Sequence, residues 1–318
     1  MTELLWAVLP PLLLLIYYYY RTPTAPSLAR VLLFFIFGTV SGLLSLGLER
    51  VFENVANLVV DWGKIERSLA GNALRQLLEV GSLEEGCKFI AVFIPIYYLR
   101  RRYRLRPSTV FLFTIAVAVG FTAEENLVYF FYGTASIFER VISTPVHAMF
   151  SAPWGYALGI TFWSHTHSHK DRKLVLLAWL NSVICHALVN ILSSTGRYPP
   201  LHLLSYGLFP FLLWMFWRME QLLQKSLGNP PITLITGNKS YQRYWQKGLV
   251  LFALMLGGNA IFGIFLLVEN VSFLSHQQIF QIPVLSFILS RLLLNIFFGF
   301  LAWVIYRYLR QLARHRFL

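Results

Sequence analysis

Seven ionisable side chains stand in stretches otherwise apolar enough to lie in a lipid bilayer: Glu84, Glu85 and Lys88, then Glu124 and Glu125, then His147, then His186. A charge at bilayer depth costs about 2.5 to 3.5 kcal/mol on insertion scales, so such groups persist mainly where they pair, face a wet cavity or do chemistry. In Glu84-Glu85-Gly86-Cys87-Lys88 the lysine is i+4 from the first Glu and i+3 from the second, which lets its ammonium meet both carboxylates on one helical face. Phe121 and Glu125 share a face at i+4, as do His186 and Asn190. Carboxylates and imidazoles in one cavity are what hydrolysis of a peptide bond requires: a base for water, an acid for the leaving amine, and donors for the oxyanion. A Glu pair can share a proton and divide the base and acid roles.

The elements that must carry these residues are membrane helices. Of the 318 residues 57% are hydrophobic and 13% charged, with a mean hydropathy of +0.58, whereas a soluble domain carries about 25% charged residues. The net charge of +13 could point to nucleic acid, but Lys and Arg collect in short runs between apolar stretches. That is the distribution of topology-setting charge, and no nucleic acid is expected as a partner. Cys87 and Cys185 both lie inside apolar segments and make no disulfide framework.

A span needs about 20 mostly apolar residues, and the sequence offers about nine, at 4 to 20, 29 to 48, 82 to 99, 109 to 132, 143 to 163, 173 to 193, 201 to 217, 247 to 268 and 284 to 308. The expected fold is all-α, a polytopic transmembrane helix bundle. The first stretch has the length of a signal peptide, yet Met1-Thr2-Glu3 lacks a basic flank and the stretch ends in Tyr17-Tyr18-Tyr19-Tyr20, an interfacial belt, so it reads as a retained helix. The run Arg100-Arg101-Arg102-Tyr103-Arg104-Leu105-Arg106 is the strongest cytoplasmic signal. Alternation then puts His169 to Lys173, the loop 218 to 247 and the tail 307 to 316 on the same side, and each is basic. This predicts the N-terminus outside and the C-terminus in the cytoplasm.

Residues 1–318 read as a single integral membrane domain, with 80–192 as the core carrying the polar motifs and 247–308 as two additional spans. In the external segment 49–81, Val51, Val55, Leu58, Val59 and Trp62 recur at helical spacing, which predicts an amphipathic helix at the interface or over a cavity mouth. With a rise of about 1.5 Å per residue, Glu84 and Glu85, Glu125, His147 and His186 lie ~5, ~10, ~6 and ~10 Å inside the outer ends of their respective spans. Four consecutive antiparallel helices thus present polar groups at one level.

Plainer roles exist for each group taken alone. Glu84 and Glu85 could serve the helix dipole, Glu124 and Asn126 could satisfy interhelical hydrogen bonds, and His147 could be a packing element. His165, His167 and His169 alternate as in a metal-binding tract, but they fall in a basic cytoplasmic loop and read as solvated.

Together the four clusters resemble the PrsW family of glutamic-type intramembrane proteases, distantly similar to the CAAX-prenyl and bacteriocin-processing proteases. The resemblance rests on Glu84-Glu85-x-x-Lys88, on Gly120-Phe121-Thr122-Ala123-Glu124-Glu125-Asn126, on Arg140 with His147 followed by Gly155 and Gly159, and on His186-x-x-x-Asn190. It implies Glu84, Glu85, Glu125, His147 and His186 as active-site residues, with Lys88, Asn190, Phe121 and Asn126 in support. The last motif of the family often has Asp where this chain has Asn190, which removes one possible base.

The expected activity is hydrolysis of membrane-anchored proteins near the outer leaflet of a bacterial-type plasma membrane, by glutamate-activated water and without a cofactor. Three alternatives stay open. Zinc held by His147, His186 and a Glu would follow the catalytic three-ligand pattern, although His-Glu-x-x-His is absent from the sequence. A proton-coupled transporter would also bury carboxylates, but no internal repeat accompanies them. A scaffold that has lost catalysis would not need every polar position filled.

Overall fold

The computed structural model describes residues 2–65, 67–164, 169–195, 202–229, 234–237 and 240–314, and every regular element among them is helical. In chain order these are α1 (Thr2–Tyr20), α2 (Leu28–Ala56), α3 (Trp62–Ile65), α4 (Leu69–Arg75), a π-helical turn (Gln76–Val80), α5 (Gly81–Leu99), α6 (Pro107–Tyr132), α7 (Ile137–Ser143), α8 (Val146–Trp163), α9 (His169–Ser194), α10 (His202–Ser205), α11 (Leu208–Ser226), α12 (Ser240–Ser272), α13 (His276–Ile279) and α14 (Ile282–Arg314). His165 and His167, and the side chain of His169, lie outside the described residues.

Among the described residues six helices, α1, α2, α6, α9, α12 and α14, are long and apolar enough to cross a membrane. They carry six of the stretches expected from the sequence. The other three expected spans, 82 to 99, 143 to 163 and 201 to 217, overlap α5, α8 and α11, which differ in polar content. Glu84, Glu85 and Lys88 stand in α5, His147 and Ser151 in α8, and Arg218, Glu220 and Lys225 in α11.

The chain divides into two compact units, one of Met1–Ile191 with Arg218–Pro230 and one of Leu192–Trp217 with Pro231–Leu318. In the first, α1, α2, α5 and α8 pack around α6. α6 is apolar over most of its length and buried along nearly all of it, with Glu124, Glu125 and Asn126 as its charged and amide positions, as expected for a helix enclosed by others. Pro107 at its first turn suits a position that needs no N–H donor. Gly133, at φ 62°, closes it in the left-handed conformation that glycine adopts without strain.

Small residues set the approach of α2 to α6. A Cβ on Gly38 would fall 2.0 Å from the Val117 carbonyl oxygen, and one on Gly120 would fall 2.0 Å from that of Phe35, so the backbones touch as in small-residue membrane contacts. Phe34 and Phe113 stack at 3.9 Å beside them. Gly155 and Gly159 do the same for α8, lying against Thr114 and the Pro107 carbonyl. These two motif glycines are packing residues.

The segment 49–81 departs from the single amphipathic helix expected of it. Val51 and Val55 belong to the end of α2, Leu58 and Val59 lie exposed in the turn after it, and only Trp62 is buried, at the start of α3. Asn57 is the reason: its side chain accepts from the Trp62 amide at 2.9 Å, turning the chain back. Trp62 Nε1 then donates to Glu79 at 2.7 Å, and Arg75 joins Glu79 to Glu53 of α2. Burial raises the Glu79 carboxyl above its ordinary range, against Trp62 and Arg75, which lower it.

In the second unit α12 and α14 pack along each other. Their polar contact is Asn295, buried where a Cβ on Gly263 would fall 2.1 Å from its side-chain oxygen. Most of their large apolar side chains, among them Leu251, Phe252, Leu293 and Phe297, remain exposed, as a lipid-facing surface requires.

Candidate active site

Four helices of the first unit bring the motif residues together, α5 with Glu84, Glu85 and Lys88, α6 with Phe121 and Glu125, α8 with His147, and α9 with His186. The ammonium of Lys88, fully buried, lies 2.8 Å from Glu85 Oε1, 3.3 Å from Glu84 Oε2 and 2.9 Å from His147 Nδ1. Its fourth side rests 4.0 Å over the Phe121 ring, which gives that aromatic a cation–π role. The spacing within Glu84-Glu85-x-x-Lys88 therefore makes the contact that helical geometry anticipates.

The two imidazoles straddle Glu84. His147 Nδ1 lies 3.7 Å and His186 Nε2 3.8 Å from Glu84 Oε2. Their far nitrogens face carboxylates: His147 Nε2 meets Glu125 Oε2 at 2.7 Å, and His186 Nδ1 stands 3.6 Å from Glu85 Oε1. The latter is beyond hydrogen-bond length, so this buried nitrogen has no hydrogen-bond partner among the described residues. Phe150 stacks on His186 at 4.4 Å and 14°, fixing its ring plane.

The three carboxylates differ in how fully they are engaged. Glu85 Oε2 accepts from Ser151 and from Trp154 Nε1, both at 3.0 Å, while its other oxygen takes Lys88. Glu125 Oε2 takes Arg140 at 2.5 Å as well as His147. Glu84 has one hydrogen bond among the described residues, the 3.3 Å contact from Lys88, and its side chain keeps 10% exposure against 0% for Glu85. Glu84 is thus the carboxylate of the α5 pair with free acceptor capacity.

Other expected site residues do different work. Glu124 points away from Glu125, its carboxylate lying against Gly42 of α2. Asn126 joins three helices, donating to the Ala7 carbonyl at 3.2 Å and accepting from Arg140 Nε at 2.6 Å. Asn190, paired in the sequence reading with His186, instead donates to Gln76 Oε1 at 2.8 Å in the π-helical turn. One turn along α9 carries it past the carboxylates, a displacement that i+4 spacing alone does not reveal. Ser151 and Trp154 were not anticipated, although they lie i+4 and i+7 from His147 and so on its face.

A profile described as "PrsW family intramembrane metalloprotease" matches residues 26–216. The chain belongs to the PrsW family. It is 32% identical over 155 residues to "Protease PrsW" of Shouchella clausii (strain KSM-K16), covering 47% of this chain and 68% of that relative. It is 26% identical over 141 residues to "Protease PrsW" of Clostridioides difficile (strain 630), covering 42% of this chain and 57% of that relative. No solved structure matches it. This PrsW-family chain is a peptidase, and its helices are those of a membrane protein.

The description of the family names a metal, and the donors present can be tested against it. Glu84, His147 and His186 each offer a ligand atom within 4.8 Å of the others, all buried. The carboxylate behind His147 and the one facing His186 stand where outer partners orient imidazoles toward a metal. The donor set of this PrsW-family site fits a divalent ion. One contact opposes it: Lys88 already places an ammonium on His147 Nδ1.

Proposed function

We propose that this peptidase hydrolyses peptide bonds of membrane-anchored proteins near the outer leaflet of a bacterial-type plasma membrane, with 80–192 as its catalytic core. The chain crosses the bilayer about nine times, N-terminus outside and C-terminus in the cytoplasm. The basic loops on one side of every expected span support this orientation. Cysteine labelling from outside intact cells should then reach Ser194→Cys and not Arg102→Cys; the reverse pattern would overturn it.

The observation that carries the catalytic reading is the unequal engagement of the carboxylates. Glu84, the less engaged of the α5 pair and the one flanked by both imidazoles, takes the proton of a water whose oxygen attacks the scissile carbonyl, and passes that proton to the leaving amine. Glu85, its acceptors filled by Ser151, Trp154 and Lys88, holds the buried cation in place. His186, with its Nε2 on the Glu84 side, is the donor nearest the developing oxyanion.

A second reading is favoured by the convergence of ligand atoms. Glu84, His147 and His186 would hold a divalent ion, zinc suiting two nitrogens and one oxygen. Such an ion would supply Lewis acidity and an activated water. In either reading Glu125 orients His147 and Glu85 retains Lys88. Co-expression with candidate single-span membrane proteins tests the first reading, with Glu84→Gln expected to lower cleavage roughly 10²-fold or more at normal expression. Full cleavage by this variant would end it. Activity that survives strong chelators supports the first reading; activity lost to them and restored by added metal supports the second.

A further inference from the structure

Arg140, outside the four motif helices, reaches Glu125 of the central cluster. It stands on α7, whose start is fixed by a capping box in which the Glu139 amide donates to Ser136 Oγ and the Glu139 carboxylate accepts from the Ser136 amide. The short helix is thereby held in register, and its next residue turns inward to 9% exposure. The guanidinium divides its donors between two neighbours on α6: Nε to Asn126 Oδ1 at 2.6 Å, and Nη2 to Glu125 Oε2 at 2.5 Å. Its flat face lies 4.3 Å over the Tyr129 ring, one turn along α6. Asn126 is itself tied to the Ala7 carbonyl of α1. Two of its N–H donors and one face are therefore engaged.

The consequence falls on His147. Glu125 Oε2 is shared between Arg140 and His147 Nε2. A carboxylate accepts only, so Nε2 must carry the hydrogen of that contact. Nδ1 is then the nitrogen with the lone pair, and it is the one facing Lys88 and Glu84. Arg140 does not touch the position where water or substrate would react. It holds the oxygen that fixes Nε2 as the N–H on one side of the ring, while the Lys88 ammonium on Nδ1 requires the same tautomer from the other.

We propose that Arg140 is a positioning residue that locks the His147 ring through Glu125, with Nε2–H on Glu125 and Nδ1 toward Lys88 and Glu84. This rests on the peptidase reading of the site but not on either account of the metal. A point charge would do less than the fork, because a lysine ammonium cannot donate in plane to both Glu125 and Asn126.

The test uses full-length protein in lipid nanodiscs with ¹⁵N-labelled histidine, the His147 ring signals being assigned by their loss in His147→Asn. The wild type should show a protonated Nε2 and an unprotonated Nδ1. Arg140→Gln should keep the tautomer, because Lys88 remains on Nδ1, but shift the Nε2–H signal as its hydrogen bond to Glu125 loosens, and lower kcat roughly 10- to 100-fold, with KM little changed. Arg140→Lys, which keeps a buried cation beside Glu125, should recover part of both. If Arg140→Gln does not fold, Arg140→Lys decides alone: wild-type kcat and an unaltered Nε2–H signal in that variant overturn the proposal, as they would in a folded Arg140→Gln. Should the wild type cleave no membrane-anchored protein, the peptidase reading fails, and the ring signals still report on the lock.

Discussion

The pair α12 and α14 and the helix α6 are each long and apolar enough to cross a membrane, yet they treat polar groups in opposite ways. In the most apolar window of α6, 94% of residues are buried by protein, against 11% for α12 and 6% for α14. α6 carries Glu124, Glu125 and Asn126 inside the helix cluster, while α14 buries the neutral Asn295 against Gly263 of α12. An ionised group in hydrocarbon is costly, and inside a ring of helices it can be matched donor for acceptor. Enclosure by neighbouring helices, rather than the hydropathy of a helix, decides where this protein can keep charge.

If enclosure and pairing are what allow the charges, removing the cation should be the most damaging change. Lys88→Met would leave Glu84 and Glu85 without their shared ammonium, a loss of about 3 to 5 kcal/mol for breaking a buried ion pair on one side. Denaturant unfolding in detergent measures it, and a variant as stable as wild type would show that the carboxylates do not depend on Lys88. Gly120→Ala probes the enclosure itself. Its new Cβ would meet the Phe35 carbonyl, and forcing α2 from α6 should cost about 1 to 3 kcal/mol. Peptidase activity should fall with it, because α6 carries Glu125.

The smallest effect should come from the lipid-facing pair. Asn295→Leu replaces a buried neutral amide packed against Gly263, and even a hydrogen-bonded pair between membrane helices averages only about 0.6 kcal/mol. Its melting temperature should shift little and its peptidase activity should be unchanged. A loss of activity as large as that of Gly120→Ala would erase the contrast between the two regions.

The sequence by itself determined the helical membrane class, the residues that meet at the centre, and the Lys88 contact with both carboxylates. These follow from local rules: apolar length, the placement of basic runs, and the i+3 and i+4 spacing of a helix. It also carried the glycines of the motif, but not their purpose, since the approach of Gly155 to Thr114 involves a second helix. The tertiary structure decided what spacing cannot express. Glu124 and Glu125 are adjacent in sequence, and about 100° per residue of helical turn sends one toward Gly42 and the other toward His147. Asn190 shares a face with His186 but reaches Gln76, because the π-helical turn lies over that level of α9. Which carboxylate stays free, and which nitrogen of His147 faces it, depended on Ser151, Trp154 and Arg140 arriving from other elements. Helical periodicity fixes the face on which a side chain leaves its own helix; the partners it finds there are set by how the helices pack.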